Sequence, residues 1–390
     1  MKKATLLGLL LVNLFFLFPS IAVAATEPAA TPGVLLDEAG LERVEETVRD
    51  LETEMKQALP AADFRTLVLN LLKGEVGYKP GDILAAVFHY LFREVVGNAA
   101  LLGKLVVLAI ICAVLHNAST AFEKSTTSSL AYVATYLALL TVALGSFTVA
   151  LDAGRDAVDN MAVFMQALLP VMLTLLCAVG GMASAALLHP IILMVIAGAG
   201  TIIKNVVFPI IFFAAMLGMI SHLATGFSIS RLADFLRQVG LGIMGVVTTV
   251  FLGVLTIQGV AGAVTQGIAF RTAKYATQTF VPVVGRLFAD AMEAVAGSSL
   301  LIKNAVGLGG LLFVFLMALF PLLKILALVS IYKLAAALVQ PVGETRLADC
   351  LGTLGNGMVA VFAVVATTAL LFFFALAVVC GMGNLTVMLR

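Results

Sequence analysis

Asp290 and Glu293 stand three residues apart in an otherwise apolar stretch, with Lys303 and Asn304 a few turns further on. A spacing of three puts both carboxylates on one helix face. Pro282, Gly285, Arg286 and Ser298 complete the stretch, which runs from Phe280 to Asn304. Charges in an apolar setting face a cavity or one another. The stretch therefore reads either as part of a conduction or coupling-ion path, or as charges that neutralise each other at a membrane surface. A second set is Arg231 with Asp234 and Arg346 with Asp349. Each is an i, i+3 pair ahead of an apolar run. One reading is a symmetric pair of clamps that fixes how two halves of the chain meet. The plainer one is interfacial ion pairs at helix ends, each worth little.

Catalytic chemistry has no foothold beyond these. His89, His116, His189 and His222 are scattered without HExxH or other ligand spacing. Cys112, Cys177, Cys350 and Cys380 lie in or beside apolar runs with no CxxC, so they read as small buried hydrophobes. There is no nucleophile triad, P-loop or dinucleotide fingerprint. No enzyme, cofactor or metal is expected. Gly240, Gly242 and Gly245, with Gly355 and Gly357, open apolar helices and suit close helix approach in lipid. Gly180-Gly181 and Gly307, Gly309 and Gly310 permit either backbone breaks or tight packing.

The elements that must position these residues come in two copies. Arg231-Leu232-Ala233-Asp234 recurs as Arg346-Leu347-Ala348-Asp349, 115 residues on, each followed by a Gly-x-Gly. Phe208-Pro209 is answered by Phe320-Pro321, and Leu169-Pro170-Val171 by Val281-Pro282-Val283, both 112 residues on. Landmarks in a shared order predict a duplicated helical unit. A partial third copy further upstream is suggested by Leu115-His116-Asn117, set against Ser221-His222-Leu223. A rival register, matching Ile203-Lys204-Asn205 to Ile302-Lys303-Asn304, breaks all the other pairings.

Composition sets the medium. The 390 residues are 62% hydrophobic and 12% charged, with mean hydropathy +1.11, which fits membrane spans and not a soluble domain. Thirteen of the 22 acidic residues precede residue 99. No basic block suits nucleic acid. The expected class is an all-α polytopic membrane protein, its spans arranged as a tandem internal repeat. Residues 1–25 read as a signal peptide: Lys2 and Lys3, an apolar core from Leu6 to Phe18, and Ala22-Val23-Ala24 for cleavage. Residues 26–98 form a small extracytoplasmic helical region. Its first helix has the stripe Leu41, Val44, Val48, Leu51 and Met55, and helices at about 61–72 and 83–97 follow. Residues 99–160 hold the first spans, 161–279 the first repeat and 280–390 the second.

Eight apolar runs are clear: 102–115, 130–151, 186–203, 206–224, 240–262, 305–322, 324–340 and 357–380. Segments 161–178 and 280–297 are either further spans or re-entrant helices. Eight spans make the copies inverted and ten make them parallel. Placing Arg271, Lys274, Arg286 and Lys303 together on the cytoplasmic side favours inversion.

The sequence from Phe280 to Gly307, FVPVVGRLFADAMEAVAGSSLLIKNAVG, with the acidic helical region ahead of a multi-span body, resembles the stage III sporulation protein AE family. The resemblance implies a multi-pass component of a channel complex between mother cell and forespore, seated in the outer of the two forespore membranes. Its implied partners are a secretion-type ATPase and ring-forming membrane proteins, in the lipid bilayer and without nucleic acid. A homo-oligomer is compatible with it. The implied role is permease-like, or an export gate, needed for late forespore gene expression. A free-standing secondary transporter and a non-conducting scaffold are the alternatives. The family offers no catalytic residues to carry over.

Overall fold

Long apolar runs with strong helix formers and few charges give long helices, and they do so here beyond the expected lengths. The computed structural model describes residues 44–47, 64–73, 80–121, 126–179, 182–223, 229–280, 284–342 and 345–388. After a helical turn at 44–47 come α1 (Phe64–Leu72), α2 (Pro80–Gly97), α3 (Ala99–Ala121), α4 (Thr126–Ala178) and α5 (Met182–Ile202). A π-turn, Ile203–Val207, leads into α6 (Phe208–Leu223), followed by α7 (Ser230–Phe280) and α8 (Val284–Val339). A short 3₁₀ turn, Gln340–Val342, leads to α9 (Thr345–Met388). Among the described residues there is no strand.

Among the described residues six stretches are long and apolar enough to cross a membrane: Ala99–Asn117, Leu130–Ala178, His189–His222, Ser230–Gly259, Gly297–Val342 and Thr345–Met382. This corrects the expected count of eight or ten. The runs 130–151 and 161–178 form one helix, as do 305–322 and 324–340, and the π-turn joins 186–203 to 206–224. Pro170 and Pro321 lie inside helices without ending them. In an apolar bundle, neighbouring helices and local π adjustment absorb the hydrogen bond that a proline loses. At 1.5 Å per residue the 56-residue α8 is about 84 Å long, against about 30 Å of hydrocarbon.

The helices align in one bundle, and the contacts fix their directions. Tyr332 Oη on α8 donates to the Ala143 carbonyl on α4 at 3.0 Å, while Phe313 meets Phe164 at 4.8 Å between ring centroids. As α8 advances, its partners on α4 recede, so the two are antiparallel. On α9, Gly355 lies against Tyr332 and Lys333, and Cys380 against Gly307, so α9 is antiparallel to α8. Phe251 of α7 meets Phe372 of α9, and Gly259 meets Val378, so α7 and α9 are parallel. The inverted arrangement favoured by positive charge is therefore not the one found. The reason is parity: with α8 unbroken, one crossing separates the two helices that bear the repeated phrase, and they return in the same sense.

The region expected outside the membrane joins the same core. Val44 is buried within it. Phe64 of α1 stacks edge-on against both Phe164 and Phe313, each at 5.6 Å. Tyr90 of α2 meets Phe320 edge-on at 5.0 Å, with the Arg93 guanidinium over the Tyr90 ring at 5.2 Å. The signal peptide and the rest of the stripe from Leu41 to Met55 lie outside the described residues.

Candidate functional site

Halfway along α4 the apolar run is interrupted by Asp152, Arg155, Asp156 and Asp159. Their spacing of three to four turns them toward one side of the helix. Between them is Gly154, a position where a Cβ would meet Val361 and Val365 of α9 at 3.0 and 3.1 Å and Phe208 of α6 at 3.3 Å. That close approach places the charges at mid-length of α9 and beside the start of α6. The π-turn ends at Phe208, and its Lys204 forms an ion pair with Asp159. Arg155 lies 3.8 Å from Asp152. The Arg155 Nε is buried with no hydrogen-bond partner, while Asp156 is exposed.

Two ion pairs, Asp152–Arg155 and Asp159–Lys204, with the exposed Asp156 between them, thus sit at the waist of an apolar bundle. The π-turn has a physical role there. A residue inserted into the helical ladder changes the face that follows. Lys204, at the second position of the π-turn, is paired with Asp159 of α4. A partly exposed ion pair in apolar surroundings is costly unless water or a counter-charge reaches it. The cluster can therefore hold charge and water at the bundle's mid-height.

The residues singled out from sequence fall elsewhere. Pro282 lies outside the described residues, and Gly285, Arg286, Asp290 and Glu293 lie on α8 with side chains outside the description. Ser298 is exposed on α8. Lys303 is fully buried, and its Nζ donates to the Cys380 carbonyl at 2.7 Å. The amine ties the first part of α8 to α9 about two turns before its end. Asn304 Oδ1 is buried without a hydrogen-bond partner.

The two Arg/Asp sets do not pair as expected. Both stand near the N-termini of the long helices, exposed. Asp234 accepts from Arg237 Nη2 at 3.1 Å, three residues onward instead of three back. Helical side chains lean toward the N-terminus, so an arginine after the aspartate reaches it and one before leans away. In the second copy the residue three after Asp349 is Gly352, and no ion pair joins Arg346 to Asp349 among the described residues. The next turn makes a link between the copies: His222 Nε2 of α6 lies 3.2 Å from Thr353 Oγ1 of α9.

The waist was legible only as a gap. Asp152, Asp156 and Asp159 at i, i+4 and i+7 separate two runs that read as separate spans, and the same spacing is what one continuous helix would show. No cluster of three or more His, Cys, Asp or Glu able to hold a metal occurs among the described residues.

Comparison with known proteins gives a consistent set of matches. A family model described as stage III sporulation protein AE matches residues 62–383. The stage III sporulation protein AE of Bacillus subtilis (strain 168) is 40% identical over 349 residues, covering 90% of this chain and 87% of that protein. No solved structure matches.

Proposed function

The chain belongs to the stage III sporulation protein AE family, and from that premise we propose that it is the permease-like or export-gate subunit of a sporulation channel complex. It is a multi-pass membrane protein of sporulation. In the proposed setting it sits in the mother-cell-derived outer forespore membrane, with the N-terminal region extracytoplasmic. A secretion-type ATPase and ring-forming membrane proteins are its partners, and late forespore gene expression depends on the assembly.

One observation carries the gate reading: the charged waist of Asp152, Arg155, Asp156, Asp159 and Lys204, set on a π-turn between two apolar zones. Side chains of both signs at that height offer a hydrated constriction through which a polar solute or a coupling ion can pass. The π-turn is a discrete, re-formable joint, which a gate needs.

The experiment separates gate from strut. Asp159→Asn and Lys204→Met are expressed in sporulating cells at wild-type membrane levels. Each is expected to lower a late forespore reporter at least tenfold. The exchange Asp159→Lys with Lys204→Asp restores the ion pair, so recovery of the reporter would assign the pair a purely structural role. Unchanged reporter activity in both single variants would end the gate reading. The scaffold alternative draws on the helices being longer than a bilayer is thick. Liposomes containing the chain with the ATPase that move no small solute would favour it.

A further inference from the structure

The geometry points to a second copy of this chain as the occupant of one exposed face of α7, docked head to tail. The face is made by Gly242, Gly245, Thr249, Gly253 and Thr256, spaced three to four apart, and all five are exposed. A Cβ on Gly242, Gly245 or Gly253 meets nothing within 4 Å. Small and hydroxyl residues in this pattern are what helix–helix contacts in lipid select.

The chain itself shows what such a face does when covered. The corresponding residues 115 on, in α9, are Gly357, Ala360, Val364, Thr368 and Leu371, and all five are buried. There a Cβ on Gly357 would press on Phe147 at 3.0 Å and Ala215 at 3.1 Å. The same stripe is thus a seat for other helices in one copy and bare in the other.

The occupant follows from how α7 and α9 meet. They are parallel but use different faces: α9 presents Val364, Thr367 and Phe372, while α7 presents Met244, Thr248 and Phe251. A contact between unlike faces is heterologous, and it leaves one face of each kind open. On α7 the open face is the glycine–threonine stripe. On α9 it is the edge with Val359 and Phe374, which are 37% and 38% exposed. Copies inserted in one membrane all point the same way, so a neighbour's α9 reaches this α7 in parallel, continuing the contact already made inside the chain. A groove of about 410 Å³ between α7 and α9, lined by Gly245, Thr249, Ala363 and Thr367, opens beside the stripe. It offers room for a ring such as Phe374 of the neighbour.

The test uses the full chain in lipid nanodiscs, with mass read by light scattering. Wild type is expected as an oligomer. The double variant Gly245→Leu, Gly253→Leu is expected as a monomer with an unchanged melting temperature, because the added side chains enter open space. Two differently tagged chains, one with Thr249→Cys and one with Phe374→Cys, are expected to cross-link on oxidation, and Thr249→Cys alone is not. A wild type that is monomeric at every concentration overturns the proposal. So does cross-linking of Thr249→Cys to itself, since that joins like faces. Mass and cross-linking do not depend on sporulation, so their outcome is separate from that of the gate reading.

Discussion

The hairpin of α6 and α7 and the hairpin of α8 and α9 begin their second helices with the same four residues, and they meet opposite fates. The helix after the second copy packs on α4, α6, α7 and α8 and is more than half buried over its apolar stretch, whereas the helix after the first packs on α5, α6 and α9 and is about one-fifth buried. The Phe-Pro landmark differs as well. In the first hairpin a π-turn precedes Phe208-Pro209, and in the second the helix runs straight through Phe320-Pro321. A repeated sequence therefore fixes where a helix starts and which way it runs, while its neighbours fix which face is sealed.

That contrast can be broken most forcefully at the matched glycines. Gly357→Leu drives a side chain into Phe147 and Ala215, and it is expected to lower stability by roughly 3 kcal/mol or to prevent folding. Gly242→Leu, its counterpart on α7, is expected to stay within about 0.5 kcal/mol of wild type. Thermal unfolding followed by circular dichroism in detergent checks both, and equal losses would show that the two faces are equally covered.

The aromatic pair comes next. Phe372→Ala empties a buried site against Phe251 and is expected to cost about 3 kcal/mol by the same melt. Phe374→Ala, two residues on and partly exposed, is expected to cost under about 1 kcal/mol.

A smaller effect sharpens the account of the helix starts. Gly352→Arg places on α9 the arginine that Arg237 supplies on α7, in a position where a Cβ meets nothing within 4 Å. Replacing a helical glycine and adding an ion pair with Asp349 is expected to gain about 1 kcal/mol. Smallest of all is Asp234→Asn, which removes an exposed pair and is expected to cost well under about 1 kcal/mol. Asp349→Asn is expected to change nothing measurable. If both variants leave assembly and activity intact, the idea that these pairs set the register of the two units is finished.

The residues divide cleanly by what could be read from order alone. The helix boundaries expected at 72 and 97 stand at Leu72 and Gly97, since polar, glycine and proline punctuation ends helices locally. The breaks expected between 151 and 161 and between 322 and 324 are absent, because α4 and α8 run on unbroken where neighbouring helices hold the backbone in place. Lys303 was marked as unusual by its apolar setting, but its partner is a backbone carbonyl 77 residues away, which no side-chain pattern announces. Asp159 and Lys204 went unread as a pair because 45 residues and a π-turn separate them.

Composition and periodicity by themselves determined that this chain is a helical membrane protein carrying a twice-used phrase, since apolar length and spacing depend only on local order. The tertiary structure alone decided that the two copies run parallel, that charges gather at the waist, and that one glycine stripe is sealed while its twin is open. These depend on which distant helix arrives at which face. In lipid that choice is made by close packing and by the pairing of charges, neither of which a run of residues contains.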